Sequence, residues 1–435
     1  MTTTRFSLKT LVCAASIWLG ATQTYGQSAE AVQPAARFAN VPASTIKFGG
    51  KAAFPAFDAA FYQNELFLLG EAHGVQRPQE IDLALLKHLN ERAGVRTYVA
   101  EVDCAKAYYL NEYLRTGQEA TLDRIFRSWN AETSQWANQE LRAKFQQIRS
   151  WNQTLPKKRQ VRFLGLDQLQ DLPLAADYLT AVLPKKGLDV ALRGQLDSVT
   201  VLLRQLPPAG SLLGAVAQRA LRTLQQPEGN HRTALGKRYE DVRHLLVGAT
   251  QNRSSMLVRE KNIFANFLAL YEAQHLTGQK LYGFWGLAHV LQSPLQSGAT
   301  LFAGLVRQSS LPVRDKVVSL MCVFADCQML LPGNFLSTAG PAQRYVQSDK
   351  FNHDGPLTLI DGMAELKAQT QPGSSTVFQL NAPAAATNQQ PIRVSYAPGV
   401  PRGQQIHFRP ELPATAYVQY LILVRNSAAV QALQP

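Results

Sequence analysis

The sequence lacks the short motifs that mark several common enzyme classes. It has no Gly-x-Ser-x-Gly elbow, so an ordinary serine hydrolase is disfavoured. It has no Gly-x-x-x-x-Gly-Lys segment to cradle phosphates, which leaves a nucleotide-dependent enzyme unsupported. Beyond residue 26, no stretch is apolar for the roughly 20 residues that a membrane-spanning helix needs. We therefore expect a mature protein without a transmembrane segment.

Cysteine is scarce, with four residues in a chain of 435. Removal of a leader containing Cys13 would leave Cys104, Cys322 and Cys327, which lack the histidine spacing of a zinc finger. Cys322 and Cys327 are the candidate disulfide pair if the protein is exported to an oxidising compartment. The alternative, in which all three are buried apolar residues, stays equally open at this point.

Acidic residues are outnumbered, since 31 Asp and Glu stand against 44 Lys and Arg, for a formal net charge of +13. The cations are scattered, and the tightest cluster is Lys157-Lys158-Arg159. No aromatic residues interleave them in a basic stripe, so we predict a solvated basic surface and no nucleic-acid partner. No obligate protein partner is indicated either.

The N-terminus has the composition of a cleaved secretory signal. Arg5 and Lys9 form a basic start, and the apolar run over 10–19 is too short to span a bilayer. A small residue stands at the usual cleavage position. We predict a signal peptide over 1–26, a polar linker over 27–47, and an exported protein that is periplasmic or secreted.

The remaining chain, 48–435, alternates strand-like apolar runs with amphipathic helical segments. Its first run, 65–70, is continuously apolar, as in strands buried on both faces of a parallel sheet. Later strands are predicted at 96–102, 161–166, 280–285, 316–324, 357–361, 375–380 and 417–425. The alternation predicts a single α/β domain with a mainly parallel sheet flanked by helices.

Helical periodicity fills most of the segments between these strands. Helices are predicted over 79–92 and 253–274, with two or three more over 104–155. Residues 172–250 read as helical throughout and predict a large helical insertion. Residues 381–416, rich in Pro, Ala, Gln and Gly, predict a long surface excursion.

Acidic and imidazole groups follow four of the predicted strands. Glu71 and His73 follow the first strand, Glu101 the second, Asp167 the third, and His289 the strand at 280–285. Because parallel strands end at one edge of a sheet, where open α/β sheets bind ligands, we expect these side chains to converge. Carboxylates around two histidines can serve as general acids and bases or bind Zn²⁺ or Mn²⁺, and the spacing does not decide between them.

Each of these residues also has a structural interpretation, as a helix cap, a turn former or a core histidine. Asp103 is more typical of a helix N-cap than of a catalytic group. Glu101 ends a buried strand, where an unpaired carboxylate would cost several kcal/mol, so it requires a partner. A structural role for all of them together is the less favoured interpretation.

Arg259, Asn262 and Asn266 share one face of the helix over 253–274, at spacings of three and seven residues. An exposed polar face is one interpretation. In the other, Arg259 points into the cleft, where it pairs with a carboxylate or stabilises a developing oxyanion. The remaining histidines lack such context and are predicted at the surface: His88, His231, His244, His275, His353 and His407.

The ordered set of motifs resembles the erythromycin esterase-like superfamily, which also includes Tiki-type metalloproteases and ChaN-type haem-binding lipoproteins. The motifs are Leu69-Gly70-Glu71-Ala72-His73-Gly74, Ala100-Glu101, Gly165-Leu166-Asp167, Arg259-Glu260 with Asn262 and Asn266, and Gly286-Leu287-Ala288-His289. Residues 420–425 resemble a final core strand of that family. Residues 172–250 and 381–416 have no counterpart among these motifs.

The resemblance implies a role for each matched residue. His73 would be the base that activates a water molecule, and Glu71 and Glu101 would orient it or bind a metal. Arg259 would position or polarise the substrate, and His289 would complete the pocket. These five are the predicted catalytic residues.

The same resemblance implies a hydrolase that acts on a small-molecule ester or lactone by direct water attack. Asp167, Asn262 and Asn266 are the predicted substrate-binding residues. A metal-dependent peptidase of the Tiki type and a non-enzymatic haem or ligand carrier of the ChaN type are the alternatives. The cofactor is either absent or a divalent metal, Mn²⁺, Zn²⁺ or Co²⁺. Its candidate ligands are Glu71, His73, Glu101 and His289.

Overall fold

The computed structural model describes residues 38, 40–49, 51–205, 210–333, 343–354, 362–383, 385, 392, 396 and 405–434. The predicted signal peptide lies outside the described residues. The described part of the predicted linker is not a free linker, because Ala43–Thr45 pairs with a later strand of the sheet. Phe38, Val41 and Ile46 around it are buried.

Among the residues that the structure describes, eight strands form one sheet in the order β1-β9-β10-β6-β2-β5-β3-β4. They are β1 (Ala43–Thr45), β2 (Leu66–Glu71), β3 (Thr97–Ala100), β4 (Arg162–Gly165), β5 (Leu281–Gly286), β6 (Val317–Ala325), β9 (Ser375–Gln379) and β10 (Tyr420–Arg425). All neighbours from β10 to β4 are parallel, whereas β9 is antiparallel to both β10 and β1. Two further strands, β7 (Met329–Pro332) and β8 (Tyr345–Ser348), form a separate antiparallel pair. The predicted mainly parallel α/β fold is confirmed.

Helices connect and cover these strands. They are α1 (Ala59–Gln63), α2 (Arg77–Arg92), α3 (Cys104–Thr116), α4 (Glu119–Ala131), α5 (Gln139–Thr154), α6 (Leu172–Val182), α7 (Val190–Arg204), α8 (Gly210–Leu224), α9 (His231–Leu235), α10 (Tyr239–Thr250), α11 (Met256–Ala273), α12 (Phe302–Gln308) and α13 (Met363–Ala368). Helices α6 to α10 make up the predicted helical region, and α6 and α10 pack against α3. In the part of the chain that the structure describes, no helix is long and apolar enough to cross a membrane.

Both faces of the sheet are covered, which explains the continuously apolar sequence of β2. Phe67 and Leu69 join the core cluster that contains the buried side chains of α2, whereas Leu66 and Leu68 join the cluster that contains those of α11. All six residues of β2 are buried. Because alternate side chains point to opposite faces, a strand covered on both faces needs apolar residues at every position.

The strand predicted at 357–361 falls outside the described residues. The predicted surface excursion over 381–416 lies only partly at the surface in its described parts, because Ile392 and Phe408 are buried with the residues around β10, whereas His407 and Glu411 are exposed. The surface prediction rested on the abundance of Pro, Gln and Gly in this segment. It gave too little weight to the large apolar side chains of Ile392 and Phe408.

The three described cysteines, Cys104, Cys322 and Cys327, are free and buried, so the candidate pair Cys322–Cys327 is not bonded. Cys322 lies inside β6 and Cys327 two residues beyond its end. Burial raises the pKa of each thiol, most strongly for Cys322 and Cys104, which favours the neutral form. The interpretation as buried apolar residues is the one the structure supports.

The prediction that the remaining histidines lie at the surface is wrong for His231, His244 and His353, which are buried. Burial lowers the pKa of His353 to about 3 and that of His244 to about 4, so both are neutral at pH 7. His353 Nδ1 accepts a hydrogen bond from the backbone N–H of Phe324 at 2.7 Å, which satisfies it inside the core. His275 is exposed, as predicted.

Candidate active site

Four neighbouring strands, in the order β2-β5-β3-β4, end at one edge of the sheet and carry the site. His73 follows β2, Glu101 follows β3, and Asp167 lies two residues beyond β4. Gly286 ends β5, and His289 lies in the short 3-10 turn after it. The expected convergence is observed: Glu101 Oε2 is 3.9 Å from His73 Nε2, and Glu101 Oε1 is 3.1 Å from His289 Nε2.

His73 is held by Glu71 through its inner ring nitrogen. Nδ1 of His73 and Oε1 of Glu71 are 3.1 Å apart, and Glu71 is buried. Burial raises the pKa of Glu71 despite the neighbouring imidazole. Burial lowers the pKa of His73, but its hydrogen bond to Glu71 and the charge of Glu101 outweigh this effect, and the net pKa is raised. The His73 side chain keeps 25% of its surface exposed, which makes it the accessible imidazole of the site.

Glu101 is the centre of the cluster. Its Oε1 accepts a hydrogen bond from Arg259 Nη2 at 2.7 Å, and its Oε2 accepts one from the backbone N–H of Gly286 at 2.6 Å. Burial opposes ionisation, but the positive charges of His289 and Arg259 hold the pKa of Glu101 well below its ordinary value. Glu101 is therefore a carboxylate throughout the neutral range.

His289 is buried between two carboxylates. Its Nε2 lies 3.1 Å from Glu101 Oε1, and its Nδ1 lies 2.7 Å from Glu260 Oε1. Burial lowers the pKa of His289, but the charges of Glu101 and Glu260 outweigh it and raise the pKa to about 10. At pH 7 His289 is an imidazolium whose two nitrogens both face protein carboxylates.

Glu260 is a site residue to which the sequence analysis assigned no role. It is 1% exposed, and its Oε2 accepts a hydrogen bond from the backbone N–H of Phe302 at 2.8 Å. Its position was visible in the sequence, because Glu260 shares the i, i+3 and i+7 spacing of the buried stripe with Ile263 and Phe267. A carboxylate on the buried stripe of a helix requires a partner.

Arg259 lies between Asp167 and Glu101. Its Nε is 3.0 Å from Asp167 Oδ1, and its Nη2 is 2.5 Å from Asp167 Oδ2. Asp167 also accepts hydrogen bonds from the Gln168 backbone N–H and from Gln170 Nε2, each at 2.8 Å. Despite burial, the two carboxylates raise the pKa of the guanidinium further above its ordinary value. The orientation of Arg259 into the cleft, one of the two predicted interpretations, is observed.

The two asparagines of α11 lie behind this guanidinium. Asn266 is 1% exposed and donates to the backbone oxygens of Leu166 at 2.9 Å and Asp167 at 3.3 Å. Asn262 Nδ2 donates to Gln168 Oε1 at 3.2 Å. These bonds tie the segment after β4 to α11 and so support Arg259. Substrate contact by Asp167, Asn262 and Asn266 stays a prediction.

The donor set does not fit a divalent metal. Within the described ranges, no group of three or more His, Cys, Asp or Glu side chains is placed to hold such an ion. Both oxygens of Glu101 accept hydrogen bonds from the protein, and both nitrogens of His289 face carboxylates. Of the four candidate ligands, this leaves Glu71 and His73, fewer than the three protein ligands of a typical catalytic zinc site. The positive groups that face Glu101 are the guanidinium of Arg259 and the imidazolium of His289.

The free energy of unfolding should depend on pH through His289. Its folded pKa of about 10 lies above the ordinary histidine value of about 6.5. The stabilisation is therefore fully present below about pH 6.5 and is lost as the pH rises towards 10. Urea unfolding should give a lower stability near pH 9.5 than near pH 6.5, and His289→Gln should shrink this difference. The exposed His275→Gln is the control, and an equal difference in His289→Gln and wild type would contradict the assignment.

Gly286 leaves the space between the three central groups open. A Cβ at this position would lie 3.1 Å from His73 Nε2, 3.4 Å from His289 Cδ2 and 3.6 Å from Glu101 Oε2. We expect Gly286→Ala to lower the activity of this site by about 10²-fold, since the methyl group takes the place of a reacting group or displaces His73. In the matched control Gly194→Ala, the added Cβ meets nothing within 4 Å on exposed α7, and activity should be unchanged. Wild-type activity in Gly286→Ala would place the reaction elsewhere.

Fold and site together define a class: an α/β protein with a histidine, carboxylate and arginine cluster at the carboxyl edge of a mainly parallel sheet. The family model of the erythromycin esterases matches residues 90–282. This confirms the resemblance to that family, and the matched segment includes Glu101, Asp167 and Arg259 as well as the helical region. His73 and His289 lie outside it. At the level of the family, the match supports an esterase-like hydrolase.

Solved structures share the fold over most of the chain. A Bacillus cereus protein has a TM-score of 0.61 at 16% identity, and a succinoglycan biosynthesis protein has 0.61 at 13%; each comparison covers 86% of this chain and 91% of the other. A mutant of the erythromycin esterase EreC in its open conformation has a TM-score of 0.58 at 14% identity, covering 85% and 92%. No curated protein matches the chain.

Proposed function

We propose that the protein is an exported hydrolase that cleaves an ester or lactone by direct attack of a water molecule activated by His73. The observation that carries the proposal is the environment of that imidazole. Its Nδ1 is engaged by the buried Glu71, while its Nε2 lies 3.9 Å from Glu101 at the open edge of the sheet. One water molecule can bridge two groups at this separation. The match to the erythromycin esterase model supports the same class of reaction.

Arg259 is the proposed electrophilic group. Its Nε and Nη2 are engaged by Asp167 and Glu101, and its side chain is 19% exposed. Nη1 lies 3.3 Å from His289 Nε2, but the imidazolium of His289 only donates, so the donors of Nη1 are the ones available to a substrate carbonyl oxygen. A guanidinium held in place by two carboxylates stabilises the oxyanion without reorganising during the reaction. In this proposal, Asp167 holds Arg259 in place, and Glu260 holds His289 in place.

The proposed reaction has two steps. In the first, the water oxygen bonds to the carbonyl carbon, His73 Nε2 takes a water proton, and the carbonyl oxygen becomes an oxyanion next to Arg259. In the second, the carbon–oxygen bond to the alcohol breaks, and the imidazolium of His73 returns the proton to the departing oxygen. The products are a carboxylic acid and an alcohol, and no covalent enzyme intermediate forms.

The test is hydrolysis of a panel of simple esters and lactones by the purified protein, followed by a single turnover in H₂¹⁸O. Direct water attack places one ¹⁸O atom in the acid product and leaves the mass of the protein unchanged. Label in a glutamate side chain would indicate a carboxylate nucleophile instead. Chelator-sensitive peptide cleavage, or a Soret band on adding haem, would favour the metallopeptidase or haem-carrier alternative.

Export is part of the proposal and is supported by the composition of residues 1–26. The expected product is a mature chain that begins after residue 26 and is recovered from the periplasm or the medium. Mass spectrometry of the N-terminal peptide, after cell fractionation, tests it. A full-length chain confined to the cytoplasm would contradict it.

A further inference from the structure

A buried network of polar side chains lies behind Glu71 and is not part of the proposed reaction. Lys144 of α5 is 3% exposed, and its Nζ lies 2.7 Å from Gln79 Oε1 and 2.5 Å from Asp82 Oδ2. Asp82, in α2, is fully buried and accepts hydrogen bonds from the hydroxyl groups of Tyr98 at 2.9 Å and Tyr282 at 2.7 Å. A buried ion pair adds little net stability over apolar residues, so its position next to the site requires another explanation.

This buried network determines which way the amide of Gln79 points. An ammonium group only donates hydrogen bonds, so the atom of Gln79 that faces Lys144 must be its carbonyl oxygen. The amide nitrogen then faces Glu71, and Nε2 of Gln79 lies 3.3 Å from Glu71 Oε1. Glu71 Oε1 also accepts a hydrogen bond from His73 Nδ1 at 3.1 Å. An ionised Glu71 can only accept hydrogen bonds, so the His73 nitrogen that faces it must carry a proton. Neutral His73 therefore has its proton on Nδ1 and its lone pair on Nε2.

We propose that Lys144 and Gln79 are positioning residues that keep Glu71 ionised and His73 in the Nδ1–H tautomer, with Nε2 free to accept a proton from water. Neither residue touches the substrate in this proposal; both act through Glu71. The proposal rests on the proposed role of His73 as the base. Removal of the polar contacts of this network should therefore change the ionisation of the Glu71–His73 pair and not only the stability of the fold.

The sign of the expected change follows from the charges that face the pair. These come from Lys144 on α5, Asp82 on α2, Glu101 after β3 and His289 after β5. Tyr98 and Cys322 also face it from the sheet, and Tyr282 faces Asp82. All three are neutral at pH 7, because burial raises the pKa of each. The effect of the Lys144 charge on Glu71 is larger than the opposing effect of Asp82. Replacing both Lys144 and Asp82 by neutral side chains therefore raises the pH at which the Glu71–His73 pair loses its last proton.

The first test observes the tautomer directly. Two-dimensional ¹⁵N spectra of the His73 ring in the intact protein, assigned by comparison with His73→Asn, should show Nδ1–H as the neutral form. In Gln79→Met, which keeps the size but removes the donor, the Nε2–H form should rise to a measurable share. The control is Gln147→Met on the exposed face of α5, which should leave the spectrum unchanged. An unchanged His73 tautomer in Gln79→Met would overturn the proposal.

The second test uses the acidic limb of the pH profile of kcat/KM. The double variant Lys144→Met with Asp82→Asn removes the ion pair without leaving one buried charge. Its acidic limb should move up by about 0.5–1 pH unit, the size of shift that a charge one side chain away produces. The matched control is the exposed pair Arg115→Met with Glu112→Gln, whose limb should stay in place. If the Lys144/Asp82 variant does not fold, the tautomer measurement in Gln79→Met decides alone.

The two proposals fail in distinguishable ways. If His73→Ala keeps full activity, His73 is not the base and the proposed function fails, whatever the spectra show. If His73→Ala is inactive while the double variant keeps the wild-type limb and Gln79→Met keeps the wild-type tautomer, the function stands and this inference falls. A merely structural role of Lys144 would lower the melting temperature without moving the limb.

Discussion

His73→Ala should lower kcat by about 10²–10⁴-fold, the range that a well-placed general base contributes. The physical reason is that Nε2 of His73 is the accessible basic atom next to the ionised Glu101. Stability should change little, because the imidazole is one quarter exposed and its removal leaves no large cavity. The measurement is ester hydrolysis beside thermal unfolding of the same preparation.

The matched control for this experiment is His275→Ala, which removes an exposed imidazole in the turn before β5, whereas His289 follows the other end of that strand. It should keep wild-type activity. The wild-type activity should also fall as the pH drops through the pKa of His73, which Glu71 and Glu101 raise above the ordinary histidine value. Full activity in His73→Ala would end the water-activation mechanism, and an acidic limb well below pH 6 would contradict the raised pKa.

Arg259→Met should affect both activity and stability. The substitution leaves the buried carboxylates of Asp167 and Glu101 without their shared guanidinium, and breaking one partner from a buried ion pair costs about 3–5 kcal/mol. Activity should fall by about 10²-fold or more, since the oxyanion loses its positive charge. Urea unfolding and kcat/KM, measured on the same protein, test the two parts separately.

The control is Arg115→Met, another arginine in an ion pair, whose side chain is 68% exposed. Its removal should cost no more than about 1 kcal/mol, because an exposed pair is screened by water. The destabilisation of Arg259→Met should also shrink as the pH falls, because protonation of the abandoned carboxyl groups removes the buried charge. Equal stability losses in the two variants would show that Asp167 and Glu101 do not depend on Arg259.

The polar residues after the strands could be read from the sequence because strands that are buried on both faces are continuously apolar. Glu71, Glu101 and Asp167 each interrupt or end such a run, which marks the edge of the sheet. By contrast, Glu260 was named only as part of a motif, since a single glutamate in a helix looks like a surface residue unless its place on the buried stripe is noticed. The surface prediction for His353 failed because nothing local shows that a backbone N–H across the core will satisfy its ring.

Local patterns of strand burial, together with the order of the strands, were enough to predict the parallel α/β architecture and the set of strand ends that meet. What each of those groups does depends on contacts that form only in the folded protein. Arg259 and Asp167 are 92 residues apart, and Lys144 and Asp82 are 62 apart. Packing of the helices against the sheet and against one another brings such pairs together. Contacts of this kind set the charge states of Glu101 and His289. Protonation depends on neighbours in space, and the linear order of residues does not specify those neighbours.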